Sequence, residues 1–150
     1  MITIPNWIVH LKWALKFGIN ENIAHFVNRS IDYGSDWYNH KLNKNDNNSA
    51  QNFSENSKGS MVQQLQYFYE KDPNSYQYVE AAYIHYILDY FRETRYDLYD
   101  FDFVFKKFIE EKGLTQIYKN EQILIDFSPL LKEIFLFLKK NKEEVLYDLM

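Results

Sequence analysis

The sequence predicts an all-α fold, a compact array of about seven helices around one central, buried helix near residues 76–95. Three observations predict it. The 150 residues include only four Gly and three Pro, most of them where helical periodicity breaks, whereas a β-sandwich needs frequent turn residues. Apolar residues recur at three- and four-residue spacings along most of the chain. Between Tyr76 and Phe91 nearly every position is apolar or aromatic, the mark of a helix enclosed on all sides. The length suits a single domain, residues 1–150, and no internal repeat is visible.

The elements follow in order. A first helix is expected from about Pro5 to Phe17, with Pro5 in the first turn, Gly18 just past the end, and Trp7, Leu11, Ala14 and Leu15 as its apolar stripe. Asn20 is a suitable N-cap for a second helix reaching about Ile31, with Ile23, Phe26, Val27 and Ile31 at helical spacing. Asp32-Tyr33-Gly34-Ser35 reads as a turn, and a short helix from Asp36 through His40 follows. Residues 41–60 are polar, with a run of Asn, Lys, Asp and Ser, and read as a flexible loop within the one domain.

Met61 to Tyr69 looks helical, and Asp72-Pro73-Asn74-Ser75 breaks it. The central helix, Tyr76 to about Arg95, comes next. A further helix is expected over about Asp102 to Lys112, stopped by Gly113. Residues Leu114 to Ile125 fit either a short helix or a strand. Ser128 as N-cap and Pro129 at the first position open a last helical region, interrupted near Asn141 and charged from Lys139 to Glu144.

Composition narrows the function classes. The chain has no Cys, which removes disulfides, thiolate zinc sites and cysteine nucleophiles and fits a reducing compartment. The start of the chain lacks the charged region and small-residue cleavage site of a signal peptide. Lys12, Lys16 and their like interrupt every long apolar run, so no membrane span of roughly 20 residues is expected, and the expected location is cytoplasmic. A net charge of −4 without a basic stripe argues against non-specific nucleic-acid binding. No nucleophile elbow, P-loop or dinucleotide fingerprint occurs.

The polar exceptions within the central helix carry the functional signal. His85 and Asp89 are four residues apart, hence side by side on one face, with Arg92 extending the stripe. A buried carboxylate is costly unless it is paired or metal-bound. Two readings account for the pair. In one, Asp89 accepts a hydrogen bond from His85 and the set orients neighbouring helices. In the other, imidazole and carboxylate on adjacent turns ligate one divalent ion. Further ligand candidates are His10, facing inward on the first helix, and His40, which follows Asp36 at the same spacing, with Asp32 flanking the turn before it. His25 is the weakest of the four His.

Such a nitrogen and oxygen set suits zinc, iron, manganese or nickel better than calcium. Its chemistry is water activation with polarisation of a phosphoryl or carbonyl oxygen. Tyr83, Tyr86 and Arg92 are candidates for binding an anionic substrate. The expected function is a metal-dependent hydrolase of a small phosphoester. The rival is a non-enzymatic interaction protein with a structural His–Asp pair. In that case the Tyr- and Phe-rich segment from Tyr96 to Phe108 forms a partner or homo-oligomer surface. There, Tyr99, Phe101, Phe103 and Phe105 alternate with acidic and apolar residues, which fits a strand or docking segment as well as the core face of a helix.

The stretch Pro5-Asn6-Trp7-Ile8-Val9-His10-Leu11-Lys12-Trp13-Ala14, with Phe17-Gly18-Ile19 after it, resembles the opening of small uncharacterised archaeal all-helical proteins that carry a later His-x-x-x-Asp segment. The His-x-x-x-Asp element here, His85 to Asp89, also resembles the zinc-dependent phospholipase C and S1–P1 nuclease superfamily. That resemblance implies a helical phosphodiesterase fold in which His85 and Asp89 ligate one zinc ion and His10, Asp36 and His40 contribute to the rest. No His follows Asp89 and no N-terminal Trp ligand is present, so the implied site reduces to one or two ions.

Overall fold

The computed structural model describes residues 6–32, 58–94, 100–112 and 115–149. Among them are seven helices and one hairpin: α1 (Asn6–Phe17), α2 (Glu21–Asp32), α3 (Lys58–Lys71), α4 (Gln77–Thr94), α5 (Phe101–Lys112), β1 (Gln116–Lys119), β2 (Gln122–Asp126), α6 (Ser128–Lys140) and α7 (Lys142–Leu149). The fold is all-α. The expected helix from Asp36 through His40 and most of the expected polar loop lie outside the described residues. The last three positions assigned to that loop, residues 58–60, instead form the first turn of α3.

Local chemistry sets the boundaries. Gly18 takes φ +106° after α1, a conformation that costs a Cβ-bearing residue free energy. Asn20 caps α2, its Oδ1 accepting the N–H of Asn22 at 2.9 Å. Asp72 breaks the chain after α3 by accepting from the Asn74 N–H and the Ser75 hydroxyl. Ser128 is not the N-cap of α6. It lies inside the helix, and its N–H and Oγ both donate to Asp126 Oδ1.

The ambiguous stretch before α6 is a hairpin. Asn120 and Glu121 both have positive φ, and Lys119 pairs with Gln122 across them, the geometry of a two-residue primed turn. The register slips between Ile117 and Tyr118, which leaves Leu124 unpaired as a bulge.

α4 is the hub. Eleven of its residues are buried, and it packs against each of the other described helices. Aromatic pairs join α5 to it and to α6. Phe91 meets Phe101 at 4.5 Å between ring centroids, and Phe105 stacks on Phe135 at 4.1 Å. Each such pair is worth about 0.5–1.5 kcal/mol beyond the buried area. Phe101, Val104 and Phe108 are therefore the core face of α5, and residues 101–108 are helical rather than a strand or an extended segment, although Phe103 stays exposed.

Of the stripe its sequence suggests, α1 buries Ala14 and packs Leu11 against the core, but leaves Trp7 and Leu15 outside. Val9, His10, Trp13 and Ala14 point inward, while Trp7 and Leu15 are exposed. The phase is fixed by α7: Trp13 Nε1 donates to Asp148 Oδ2 at 2.9 Å, and Lys12 Nζ reaches the same oxygen at 2.7 Å. No helix of the described residues is long and apolar enough to cross a membrane.

Candidate metal centre

Three helices deliver one polar cluster into the interior. α1 brings His10, α2 brings Asn28 and its last residue Asp32, and α4 brings His85 and Asp89. His85 is fully buried. Its Nδ1–H donates to Asn28 Oδ1 at 2.8 Å. That bond aims Nε2 at the gap between two carboxylates, 3.3 Å from Asp32 Oδ1 and 3.3 Å from Asp89 Oδ2. Neither contact is an aligned hydrogen bond, so Nε2 stays without a hydrogen-bond partner.

His10 lies against the same ring, with the imidazole centroids 3.8 Å apart. Its Nε2–H donates to Asp89 Oδ1 at 2.8 Å, and its Nδ1 also lacks a hydrogen-bond partner. One ligand atom each from His10, Asp32 and His85 fall within 4.8 Å of one another.

The charges are strongly coupled. Burial lowers the pKa of His85, but Asp32 and Asp89 outweigh burial and raise it to about 9. Burial of Asp89 favours its neutral form, yet the hydrogen bond from His10 and the close positive charge of His85 hold the carboxyl well below the usual range. His10 is lowered by burial, which its bond to Asp89 only partly offsets, so beside a cationic His85 it remains neutral.

Two features of this arrangement are those of a metal ligand set. A ligating His usually donates its second N–H to an oxygen that fixes tautomer and orientation, and Asn28 does this for His85. Ligand bonds of about 2.0–2.1 Å separate tetrahedral neighbours by about 3.3–3.4 Å. The two His85–carboxylate distances fall at that separation, and not at the shorter length of a hydrogen bond. Asp32 opens the cluster to a cleft of about 360 Å³ that it lines with Trp7, His25, Asn28 and Arg29.

Four of the sequence candidates thus converge: His10, Asp32, His85 and Asp89. Asp36 and His40 lie outside the described residues. The three expected substrate contacts do not line that cleft. Tyr83 is buried edge-on to Phe127. Tyr86 is buried, its hydroxyl bonded to Gln64. Arg92 leans towards the C-terminal end of α7, with Nη2 3.4 Å from the Asp148 carbonyl, where unpaired helix carbonyls attract a cation. Asn28 was not singled out from the sequence. Its signal was its place in the stripe of Ala24, Val27 and Ile31, the one amide among apolar residues. No family model, curated protein or solved structure matches this chain.

Proposed function

We propose that the chain binds one divalent transition-metal ion (zinc, iron or manganese) through His10, Asp32, His85 and Asp89, and uses it to hydrolyse a small phosphoester. The observation that carries this reading is His85 itself: a fully buried imidazole whose Nδ1 is satisfied by Asn28 and whose Nε2 faces two carboxylates without a hydrogen bond to either. A bound ion supplies the lowered pKa of a coordinated water and the polarisation of a phosphoryl oxygen. The chain supplies the rest. Asp32 faces the cleft, and Arg29 on its wall gives a planar cation suited to phosphate oxygens. The apolar packing of α4 keeps water from the inner side of the cluster.

A second reading rests on the His10–Asp89 bond at 2.8 Å and the raised pKa of His85. There the imidazolium of His85 is itself the cation that two carboxylates hold, and the cluster pins α1, α2 and α4 together in a non-enzymatic interaction protein.

Metal content separates the two. Untagged protein is equilibrated with each ion, desalted and analysed beside Asp32→Asn, which replaces the most exposed of the four residues. The metal reading expects about one ion per chain in the native protein and loss of it in the variant. Hydrolysis of a phosphoester probe should then require that ion. No retained ion in either protein overturns the metal reading and leaves the imidazolium cluster.

A further inference from the structure

The cleft beside Asp32 has features that water activation does not need. Trp7 lines it with 55% of its surface exposed, although a large aromatic gains most when buried. Arg29 lines it too and makes no ion pair among the described residues, even with Asp32 three residues ahead on the same helix. The half-buried His25 ring completes the wall. The volume of about 360 Å³ lies within the range of small-ligand sites. One wall therefore offers a flat π-face and another a guanidinium that no described residue pairs, while Asp32 connects both to the candidate ion.

We infer that this cleft takes an aryl phosphate monoester, with the aromatic ring stacked on Trp7 and the phosphate between Arg29 and the ion. The assignment rests on the metal-hydrolase reading for its chemistry and for the ion's contact with the phosphate, but not for the stacking on Trp7. A monoester dianion balances the two cations better than a diester monoanion. In the reaction, the water oxygen forms a bond to phosphorus and the P–O(aryl) bond breaks. The phenolic oxygen leaves with the electron pair and takes up the proton that the water loses.

The test uses phenylphosphonate, which has no cleavable ester bond, against methylphosphonate as the ringless control. Calorimetric titration is run on zinc-equilibrated native protein, Trp7→Ala and Arg29→Ala, with zinc content measured on the same samples. Both replaced residues are exposed, so their loss leaves the core intact. Stacking on an exposed aromatic is worth about tenfold or more in affinity. Phenylphosphonate should bind at least tenfold more tightly than methylphosphonate in native protein. Trp7→Ala should abolish that preference, and Arg29→Ala should weaken both ligands about tenfold. Equal affinities, or a preference that survives Trp7→Ala, overturns the assignment while zinc content still decides the metal reading. A zinc-free sample that prefers phenylphosphonate through Trp7 upholds the cleft ligand and removes the hydrolytic role.

Discussion

Replacing Asp89 by Asn keeps the size of the side chain and removes its charge. Asp89 accepts a 2.8 Å hydrogen bond from His10 and faces His85 at 3.3 Å, with its side chain 22% exposed. Breaking a fully buried ion pair costs about 3–5 kcal/mol, and a charge-assisted hydrogen bond contributes about 1.5–3 kcal/mol. Partial exposure and the surviving partner Asp32 place the expected loss near 2–3 kcal/mol in chelator-treated protein. For a domain of this length that lowers Tm by about 5–10 °C.

The loss should depend on pH with a definite sign. His85 is raised in the fold, so its contribution is complete below its unfolded pKa near 6.5 and fades as pH rises through about 9. Asp89 is depressed, so its contribution is complete above the ordinary carboxylate range and fades only in strong acid. Thermal unfolding of native and Asp89→Asn protein should therefore differ most near pH 6 and least near pH 10. A Tm change below about 1 °C, or one that does not shrink between those pH values, would refute the coupling.

Other outcomes follow from the same structure. Asn28→Leu removes the acceptor that orients His85 and should weaken metal binding about 10- to 100-fold, read by competition with a chelating dye. Burial and the nearby Glu133 push Glu80 up to about 7, so its ionisation opposes folding as pH rises from the ordinary carboxylate range to about 7. Glu80→Gln should accordingly stabilise by about 1 kcal/mol at pH 8, a value reduced for its half-exposure, and have little effect at pH 4, as urea titration would show. Asp148→Asn weakens the joint that Lys12 and Trp13 make with α7; a loss of about 2 kcal/mol with a shifted Trp emission is expected, and unchanged emission would mean that Trp13 does not depend on this carboxylate.

The core of the architecture was legible because α4 states it locally. A run of apolar residues too dense for an amphipathic helix has to sit at the centre, and the polar His85 and Asp89 within it had to be there for a reason. The face of α1 was not legible. Trp7, Ile8, Val9, Leu11, Trp13, Ala14 and Leu15 populate both sides of that helix, and the phase is chosen by Asp148, which lies 135 residues away in sequence. His10 was still read as inward, since either phase places it near the core. The hairpin was hidden because Ile and Tyr fit both structures, and its turn uses Asn120-Glu121 without a Gly. Tyr83, Tyr86 and Arg92 do not line the cleft beside Asp32, because a helix enclosed by neighbours turns successive side chains into different packing. Residues on α1 and α2 line the cleft instead.

Zinc K-edge absorption on protein loaded with one equivalent of zinc tests the central claim most directly. The account predicts a shell of nitrogen and oxygen donors at about 2.0–2.1 Å with the outer-shell scattering of two imidazoles, reduced in His85→Gln. A shell with no imidazole, or a spectrum unchanged by that substitution, would contradict it and leave His85 as the buried cation of a structural cluster.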